Sequence, residues 1–152
     1  MVLKLYGWPK STCTQRVATT LQEKKVPYEF IMVDLFKGES KTAEYLKKQP
    51  FGQVPYIVRT PPSSSPTASS NYLLDEKDDD GFILYESRAI CRYIAEKYQN
   101  QGTPNLLPIK DLKSRAIFEQ SASIEQSDFD QFASKAVFEM VFKPYVYNQL
   151  SS

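Results

Sequence analysis

The sequence predicts an α/β domain over residues 1–102, followed by a shorter all-helical domain over residues 103–152. Apolar strand segments alternate with amphipathic helical segments in the first domain, in the order β-α-β-α-β-β-α. A helix between successive strands implies right-handed crossovers and parallel pairing, whereas the last two strands, which no helix separates, indicate an antiparallel hairpin. From residue 103 onward the apolar pattern is helical.

Four strands are predicted from short apolar or alternating segments bounded by turn residues. The clearest is VLKLYG at 2–7, which alternates apolar and polar residues and ends in glycine. The others are VPYEFIMVD at 26–34, VPYIV at 54–58 and GFILYE at 81–86. A four-stranded sheet is therefore expected in the first domain.

Three helices are predicted in the same domain. They span 11–24, 41–50 and 87–98. In the first, Cys13, Val17 and Leu21 recur at every fourth position, so they share one apolar face. The second is short and ends at Pro50, because proline cannot continue a helix. The third shows the same apolar spacing as the first.

Residues 60–80 interrupt the predicted hairpin with the segment TPPSSSPTASSNYLLDEKDDD. It contains five serines, three prolines and five acidic residues, and such a composition cannot bury enough apolar surface to offset the entropy of ordering. The segment is expected to be a disordered surface loop, and a regulatory or partner-binding role is the alternative.

The second domain is predicted to begin after the linker TPNLLP, with Asp111 capping a helix that continues through Ser127. A second helical stretch spans 129–142, and Pro144 ends it. Nine of its fourteen residues are apolar, and they extend too far around the helix to form one stripe. A partner chain is therefore expected to cover the surplus apolar face.

Composition argues against several functional classes. The net charge of +1 gives no reason to expect nucleic acid or an anionic membrane as a partner. No apolar run is long enough to span a bilayer, and the first nine residues do not resemble a signal peptide, so a reducing, cytoplasmic location is expected. Two cysteines and no histidine argue against a disulfide framework or a zinc site, and they exclude Ser-His and Cys-His catalysis.

The segment STCTQRV at 11–17 places a hydroxyl and a thiol at a helix start. The first amides of a helix are unpaired and carry partial positive charge, so Ser11 could donate a hydrogen bond to a bound anion. The alternative is that Ser11 is only an N-cap. Cys13 is either a reactive thiol or, since it shares a face with Val17, a small buried residue; Cys91 is expected to lie in the core.

Three further motifs offer groups for binding a peptide. Val54-Pro55 before a strand suits a cis proline, which would expose a backbone edge to an extended peptide. Glu86 can accept from an ammonium group while Ser87, at a helix start, binds a carboxylate. Lys41 could bind a second carboxylate. Together with Ser11, these groups match a thiol tripeptide with an amine and a carboxylate at one end and a carboxylate at the other, which is glutathione.

In these motifs the chain resembles the phi-type cytosolic glutathione transferases of plants and fungi. The resemblance rests on four segments in the family's order: STCTQRV, GESK, PFGQVP and LYESRAICRYIAEKY. It covers about residues 1–147, apart from the 60–80 insertion. It implies a thioredoxin-like N-terminal domain, an all-helical second domain, glutathione as co-substrate and, usually, a dimer.

The resemblance also implies a role for each matching residue. Ser11 would be the catalytic hydroxyl that holds glutathione as thiolate. The glutathione-binding residues would be Lys41 at the glycyl carboxylate, Gln53, Val54 and Pro55 along the peptide, and Glu86 and Ser87 at the γ-glutamyl end. The pocket for an apolar electrophile would be bordered by Trp8, Phe36 and Phe118.

Two departures from the family pattern alter these expectations. Ser40 stands where the family commonly has histidine, so one contact to the glycyl end is weaker or lost. Family members carry several further helices after the segment near Tyr147, so the resemblance implies a shortened helical domain whose first helix is split or kinked at 126–128. A homodimer or tetramer through 129–142 is expected.

The leading functional hypothesis is conjugation of glutathione thiolate to an apolar electrophile. Glutathione-dependent cis-trans isomerisation of an unsaturated natural product shares its first step, the addition of the thiolate, and stays open as an alternative. A redox role for Cys13 lacks the second cysteine of a CxxC pair. A non-catalytic binding or regulatory protein is the remaining alternative.

Overall fold

A computed structural model describes residues 2–60, 81–108 and 111–144. The chain folds as two compact units, Met1–Leu106 and Leu107–Ser152. The predicted loop at 60–80 lies outside the described residues from position 61 onward. Among the residues that are described, no helix is long and apolar enough to cross a membrane.

The first unit contains a four-stranded mixed sheet, as predicted. Its strands are β1 (Val2–Gly7), β2 (Tyr28–Met32), β3 (Tyr56–Thr60) and β4 (Ile83–Tyr85), in the spatial order β2-β1-β3-β4. β1 and β2 are parallel, and β3 and β4 form the expected antiparallel pair. β3 begins two residues later than predicted because Pro55 has no amide hydrogen to donate to the ladder.

The prediction of parallel pairing is wrong for β3, which lies antiparallel to β1. The helix between β1 and β2 has 12 residues and advances about 18 Å, enough to carry the chain back along the strand. The helix between β2 and β3 has four residues and advances only about 6 Å. The chain therefore enters β3 at the end of the sheet where β2 finishes, and β3 runs antiparallel on the other side of β1.

Three helices accompany the sheet. They are α1 (Thr12–Glu23), α2 (Ala43–Leu46) and α3 (Ser87–Lys97), and a 3₁₀ turn at Glu39–Lys41 precedes α2. α1 and α3 agree with the predicted segments to within one residue at each end. α2 is shorter than the predicted 41–50, because it begins only after Thr42, whose side chain accepts a hydrogen bond from the amide of Tyr45.

The core lies on both faces of the sheet. On one face, eight buried residues from β1, β3, α1 and α3 and from the turn after α1 pack together: Leu3, Leu5, Val17, Leu21, Val26, Ile57, Ile90 and Ile94. On the other face, Tyr45 of α2 packs against Tyr56 and Val33. Since successive strand residues point to opposite faces, Tyr56 and Ile57 serve different layers.

A buried lysine at the end of α1 forms hydrogen bonds with the segment 101–103. Lys24 is 1% exposed, and its Nζ donates to the carbonyl of Thr103 at 2.8 Å and to that of Gln101 at 3.4 Å. The Gln101 side chain donates to the carbonyl of Lys24 at 2.8 Å, and the amide of Thr103 donates to the carbonyl of Glu23 at 2.8 Å. We call this arrangement the Lys24 clamp.

The second unit is helical, as predicted. α4 (Leu112–Ile124) and α5 (Gln131–Val137) are joined by the π-helical segment Glu125–Asp130, and a second π-helical segment, Phe138–Phe142, follows α5. Asp111 caps α4 as expected: its carboxylate accepts from Ser114 and from the amide of Lys113, and these bonds lower its pKa.

The interruption predicted at 126–128 lies inside the π-helical segment Glu125–Asp130, between α4 and α5. The backbone stays helical through the π-helical segment, whose wider turns take up the change in spacing. The apolar side chains at 129–142 are largely exposed on this single chain; Phe132 is 68% exposed and Met140 is 79% exposed.

Candidate functional site

The sheet topology brings the predicted site segments to one end of the first unit. Gly7, the last residue of β1, pairs with Met32, the last of β2. Tyr56, which begins β3, pairs with Tyr6 near the end of β1 and with Tyr85 at the end of β4. The chain therefore leaves β1, β2 and β4 and enters β3 at the same end of the sheet. Those segments carry nine of the predicted residues: Trp8, Ser11, Phe36, Lys41, Gln53, Val54, Pro55, Glu86 and Ser87.

Ser11 is the N-cap of α1. Its Oγ accepts from the amide of Thr14 at 3.3 Å, and its own amide donates to the carbonyl of Trp8 at 2.9 Å. The hydroxyl hydrogen is not used by that bond, because a serine oxygen can accept and donate at once. Within the described part of the chain, the amides of Thr12 and Cys13 have no hydrogen-bond partner. An anion placed here would meet a hydroxyl donor and the positive end of α1.

Cys13 is half-buried, so the prediction that it is buried on the apolar face is wrong. Thr14 takes that place instead: it is fully buried and accepts a hydrogen bond from the amide of Trp8 at 3.3 Å. Cys91 is half-buried too, but it packs against the core cluster, and burial raises the pKa of its thiol. Both cysteines are free thiols.

The loop before β3 contains the cis Val54-Pro55 peptide bond that the sequence predicted. Two buried side chains hold the preceding residue: the Tyr45 hydroxyl donates to the carbonyl of Gln53 at 2.6 Å, and the amide of Gln53 donates to Oε1 of Gln49 at 3.2 Å. Burial raises the pKa of Tyr45, so its hydroxyl remains a donor. The amide and carbonyl of Val54 have no partner among the residues described, and they can pair with an extended peptide.

Sequence reasoning missed the parts played by Tyr45 and Gln49. The sequence offers no local signal for either one, because Tyr45 has the apolar spacing of an ordinary core residue and Gln49 lies in a turn. Their burial, at 6% and 2% exposure, follows from the packing of the loop onto α2.

Lys41 lies beside the same loop. Its side chain is exposed, and its Nζ donates to the carbonyl of Phe51 at 3.2 Å. Gly52 permits this approach: a Cβ there would lie 2.7 Å from the Lys41 Nζ and 2.8 Å from the carbonyl oxygen of Ser40. Ser40 is buried. Lys41 therefore presents its charge at the edge of the loop that holds Gln53 and Val54.

Glu86 and Ser87 form the start of α3. Glu86 has φ 71° and ψ 102°, a conformation that is costly for a residue with a side chain, and such residues concentrate at functional sites. Glu86 is an exposed residue, whereas Ser87 is only 5% exposed. The Ser87 Oγ accepts a hydrogen bond from Nη1 of Arg16 at 2.7 Å. Sequence reasoning missed Arg16, since its partner lies 71 residues away on another helix.

The predicted aromatic residues divide between the two units. The Trp8 and Phe36 rings meet edge to face with their centroids 5.7 Å apart, close to the segment that leads to Ser11. Phe118 lies on α4 in the second unit, where it is half-buried. A shared pocket for an electrophile remains a prediction.

Comparison with known proteins gives consistent matches. The family model for the glutathione S-transferase N-terminal domain matches residues 10–97. Glutathione S-transferase hmp2 of Hypomyces subiculosus is 45% identical over 145 residues, which are 95% of this chain and 58% of that protein. Glutathione S-transferase PM239X14 of Arabidopsis thaliana is 41% identical over 93% of this chain and 56% of its own length.

Solved structures give the same picture. The crystal structure of poplar glutathione transferase F1 is 37% identical and superposes with a TM-score of 0.75, over 93% of this chain and 56% of that one. A glutathione S-transferase-I structure bound with lactoylglutathione is 28% identical with a TM-score of 0.73, over 96% and 58%. The chain thus spans a little over half the length of the relatives that it matches.

Proposed function

The chain belongs to the glutathione S-transferase family, and from this we propose that it binds glutathione and stabilises its thiolate for attack on an apolar electrophile. The observation that carries the proposal is the position of Ser11, with its hydroxyl hydrogen unused by the cap, at an α1 start where the amides of Thr12 and Cys13 are unpaired among the described residues. Hydrogen bonds to the ionised form of a group lower its pKa.

In the proposed reaction the Ser11 hydroxyl donates to the glutathione sulfur. No histidine is present to take the proton, so it leaves to solvent, and the charge on the sulfur is stabilised by the hydroxyl and the positive end of α1. The thiolate then forms a bond to an electrophilic carbon; with an unsaturated ketone the C=C π bond breaks, and the resulting enolate takes a proton from solvent. Because the donors are fixed before the reaction, they stabilise the anion without reorganising.

The remaining groups would position the tripeptide. The backbone amide and carbonyl of Val54, which follows Gln53 and precedes the cis proline, would pair with the cysteinyl residue of glutathione. Lys41 would pair with the glycyl carboxylate, and Glu86 and Ser87 would bind the γ-glutamyl amine and carboxylate. Charge-assisted hydrogen bonds at both ends would fix the position of the sulfur. Pro55 would fix the loop, and Trp8 and Phe36 would border the electrophile.

Titration calorimetry with glutathione tests this proposal. Binding is expected, and its absence would leave only a non-catalytic role. Incubation with glutathione and an unsaturated ketone then separates the two reactions: net consumption of thiol supports conjugation, whereas a change of geometry without consumption supports isomerisation. A redox role for Cys13 has less support, because no second cysteine stands at the spacing of a CxxC pair.

We also propose a cytoplasmic homodimer or tetramer that forms through residues 129–142. The exposed apolar side chains of that segment support association, and the free thiols of Cys13 and Cys91 suit a reducing compartment. Light scattering combined with size-exclusion chromatography is expected to give twice or four times the monomer mass. A stable monomer would contradict the assembly.

Replacing Tyr45 with phenylalanine is expected to weaken glutathione binding about fivefold while kcat changes little. The variant keeps the ring but removes the hydrogen bond to the Gln53 carbonyl, which is worth about 1 kcal/mol. The loop that holds Val54 would then lose its fixed position. The measurement is KM for glutathione at saturating electrophile. Tyr28→Phe, which alters a tyrosine on β2, serves as the control; an unchanged KM in Tyr45→Phe would contradict the assignment.

A further inference from the structure

Arg16 joins the two helix starts of the site. It lies in the second turn of α1, after Ser11, and its Nη1 donates to the Ser87 Oγ at 2.7 Å. The same nitrogen lies 3.7 Å from the Cys13 Sγ. Elsewhere the α1–α3 contact combines the apolar packing of Val17 and Leu21 with a hydrogen bond from the Thr20 hydroxyl to the Cys91 Sγ at 3.1 Å. A guanidinium is therefore held beside the residue proposed to bind the γ-glutamyl carboxylate.

The hydrogen bond fixes what the Ser87 hydroxyl can do. A serine hydroxyl has one donor hydrogen and two acceptor lone pairs. Arg16 occupies one lone pair from one side, and arginine has no acceptor, so the Ser87 hydrogen cannot point back at it. The hydrogen is left to donate in another direction. Ser87 is thereby set as a donor, and a donor is what a carboxylate requires.

The local charge also favours a carboxylate. Burial raises the pKa of the nearby Cys91 thiol, and three guanidinium groups act on it in the opposite direction: Arg16, Arg88 and Arg92. Their charges are therefore close to this part of the α1–α3 interface. Glu86, at the start of α3, is exposed. A second, bound carboxylate would be attracted to the same region.

We propose that Arg16 is a positioning residue that sets the preference of the site for a peptide with a free α-carboxylate at its γ-glutamyl end. The inference rests on the proposed binding of glutathione. Arg16 acts through Ser87: it holds the serine oxygen, directs its hydrogen outward and adds positive charge behind it. A peptide with an amide in place of that carboxylate gains only a neutral hydrogen bond from Ser87, and a peptide with nothing there gains none.

The test compares two ligands on the full chain by titration calorimetry. One is glutathione, and the other is γ-aminobutyryl-cysteinyl-glycine, which lacks only the α-carboxylate. The unaltered protein is expected to bind glutathione at least about tenfold more tightly, which is the effect of one charge-assisted hydrogen bond. In Arg16→Met this ratio is expected to fall about tenfold. In Ser87→Ala, a further Arg16→Met change is expected to lower the ratio by a much smaller factor, because only the charge of Arg16 is then lost.

Lys97→Met is the matched control, because it removes one positive charge from the far end of α3, about 15 Å along the helix from Ser87. Its ratio is expected to equal that of the unaltered protein. If Arg16→Met does not fold, Arg16→Lys keeps the charge without the planar fork and is expected to lower the ratio by a smaller factor. A ratio unchanged in the Arg16 variants, or a loss equal for both ligands, would overturn the inference alone. No binding of glutathione by the unaltered protein would overturn the proposed function as well.

Discussion

Replacing Ser11 with glycine is expected to lower kcat/KM for the addition of glutathione to an unsaturated ketone by about 100-fold or more. Removing one fixed donor from an anion-stabilising site typically has an effect of this size. Glycine is the better replacement than alanine, because Ser11 is also the N-cap of α1. Alanine at an N-cap costs about 1 kcal/mol of stability, whereas glycine costs only a few tenths.

Two further variants make the result specific. Ser11→Thr keeps both the hydroxyl and the cap, so it is expected to retain at least about a tenth of the activity. Cys13→Ser alters the neighbouring thiol and is expected to change kcat/KM less than about twofold, since that thiol takes no part in the proposed step. Activity that survives in Ser11→Gly and disappears in Cys13→Ser would assign the chemistry to the cysteine.

Replacing Gly102 with alanine is expected to lower the free energy of unfolding by about 3 kcal/mol or more. Gly102 has φ 61°, and a Cβ there would overlap the carbonyl oxygen of Glu23 and lie 2.6 Å from the Lys24 Cα. These are backbone atoms at the end of α1, so they cannot move aside as a side chain could. The segment 101–103 would have to leave, and the Lys24 clamp would lose both carbonyls that bind its buried ammonium.

Gly38→Ala separates the steric overlap from the cost of the backbone conformation. Gly38 has φ 72°, similar to that of Gly102, but no atom lies within 4 Å of its added Cβ. Alanine at this position is expected to cost only about 1 to 2 kcal/mol, which is the cost of a left-handed conformation. Chemical denaturation measures both variants. Equal losses in Gly102→Ala and Gly38→Ala would show that the clamp adds no stability.

The parts of the fold that the sequence predicts are those that depend on neighbours along the chain. Apolar spacing is a local property, and it places β1, α1 and α3 to within a residue or so of their observed bounds. The caps at Ser11 and Asp111 are local too, because each side chain bonds to an amide two or three residues ahead. The two turns of the site, Val54-Pro55 and Glu86-Ser87, also depend on residues that are adjacent in the chain.

The parts that the sequence does not predict depend on contacts between distant segments. The direction of β3 is set by how far the segment between β2 and β3 travels, and the short α2 decides that. The sequence alone predicts only an ordinary polar residue of α1 at Arg16, because its contact with α3 depends on the packing of the two helices. Lys24 reads as a solvent-exposed lysine, yet its ammonium bonds to carbonyls 77 and 79 residues away. Spacing along the chain carries no information about such pairs.

The most direct test of the account is the ionisation of the glutathione thiol when the tripeptide is bound. The ultraviolet absorbance of the thiolate, followed against pH with the protein in excess, gives the midpoint of that ionisation. The hydroxyl of Ser11 and the α1 start are expected to move the midpoint well below its value in buffer, and Ser11→Gly is expected to return it toward that value. A bound thiol that ionises at the same pH as free glutathione would contradict the central claim.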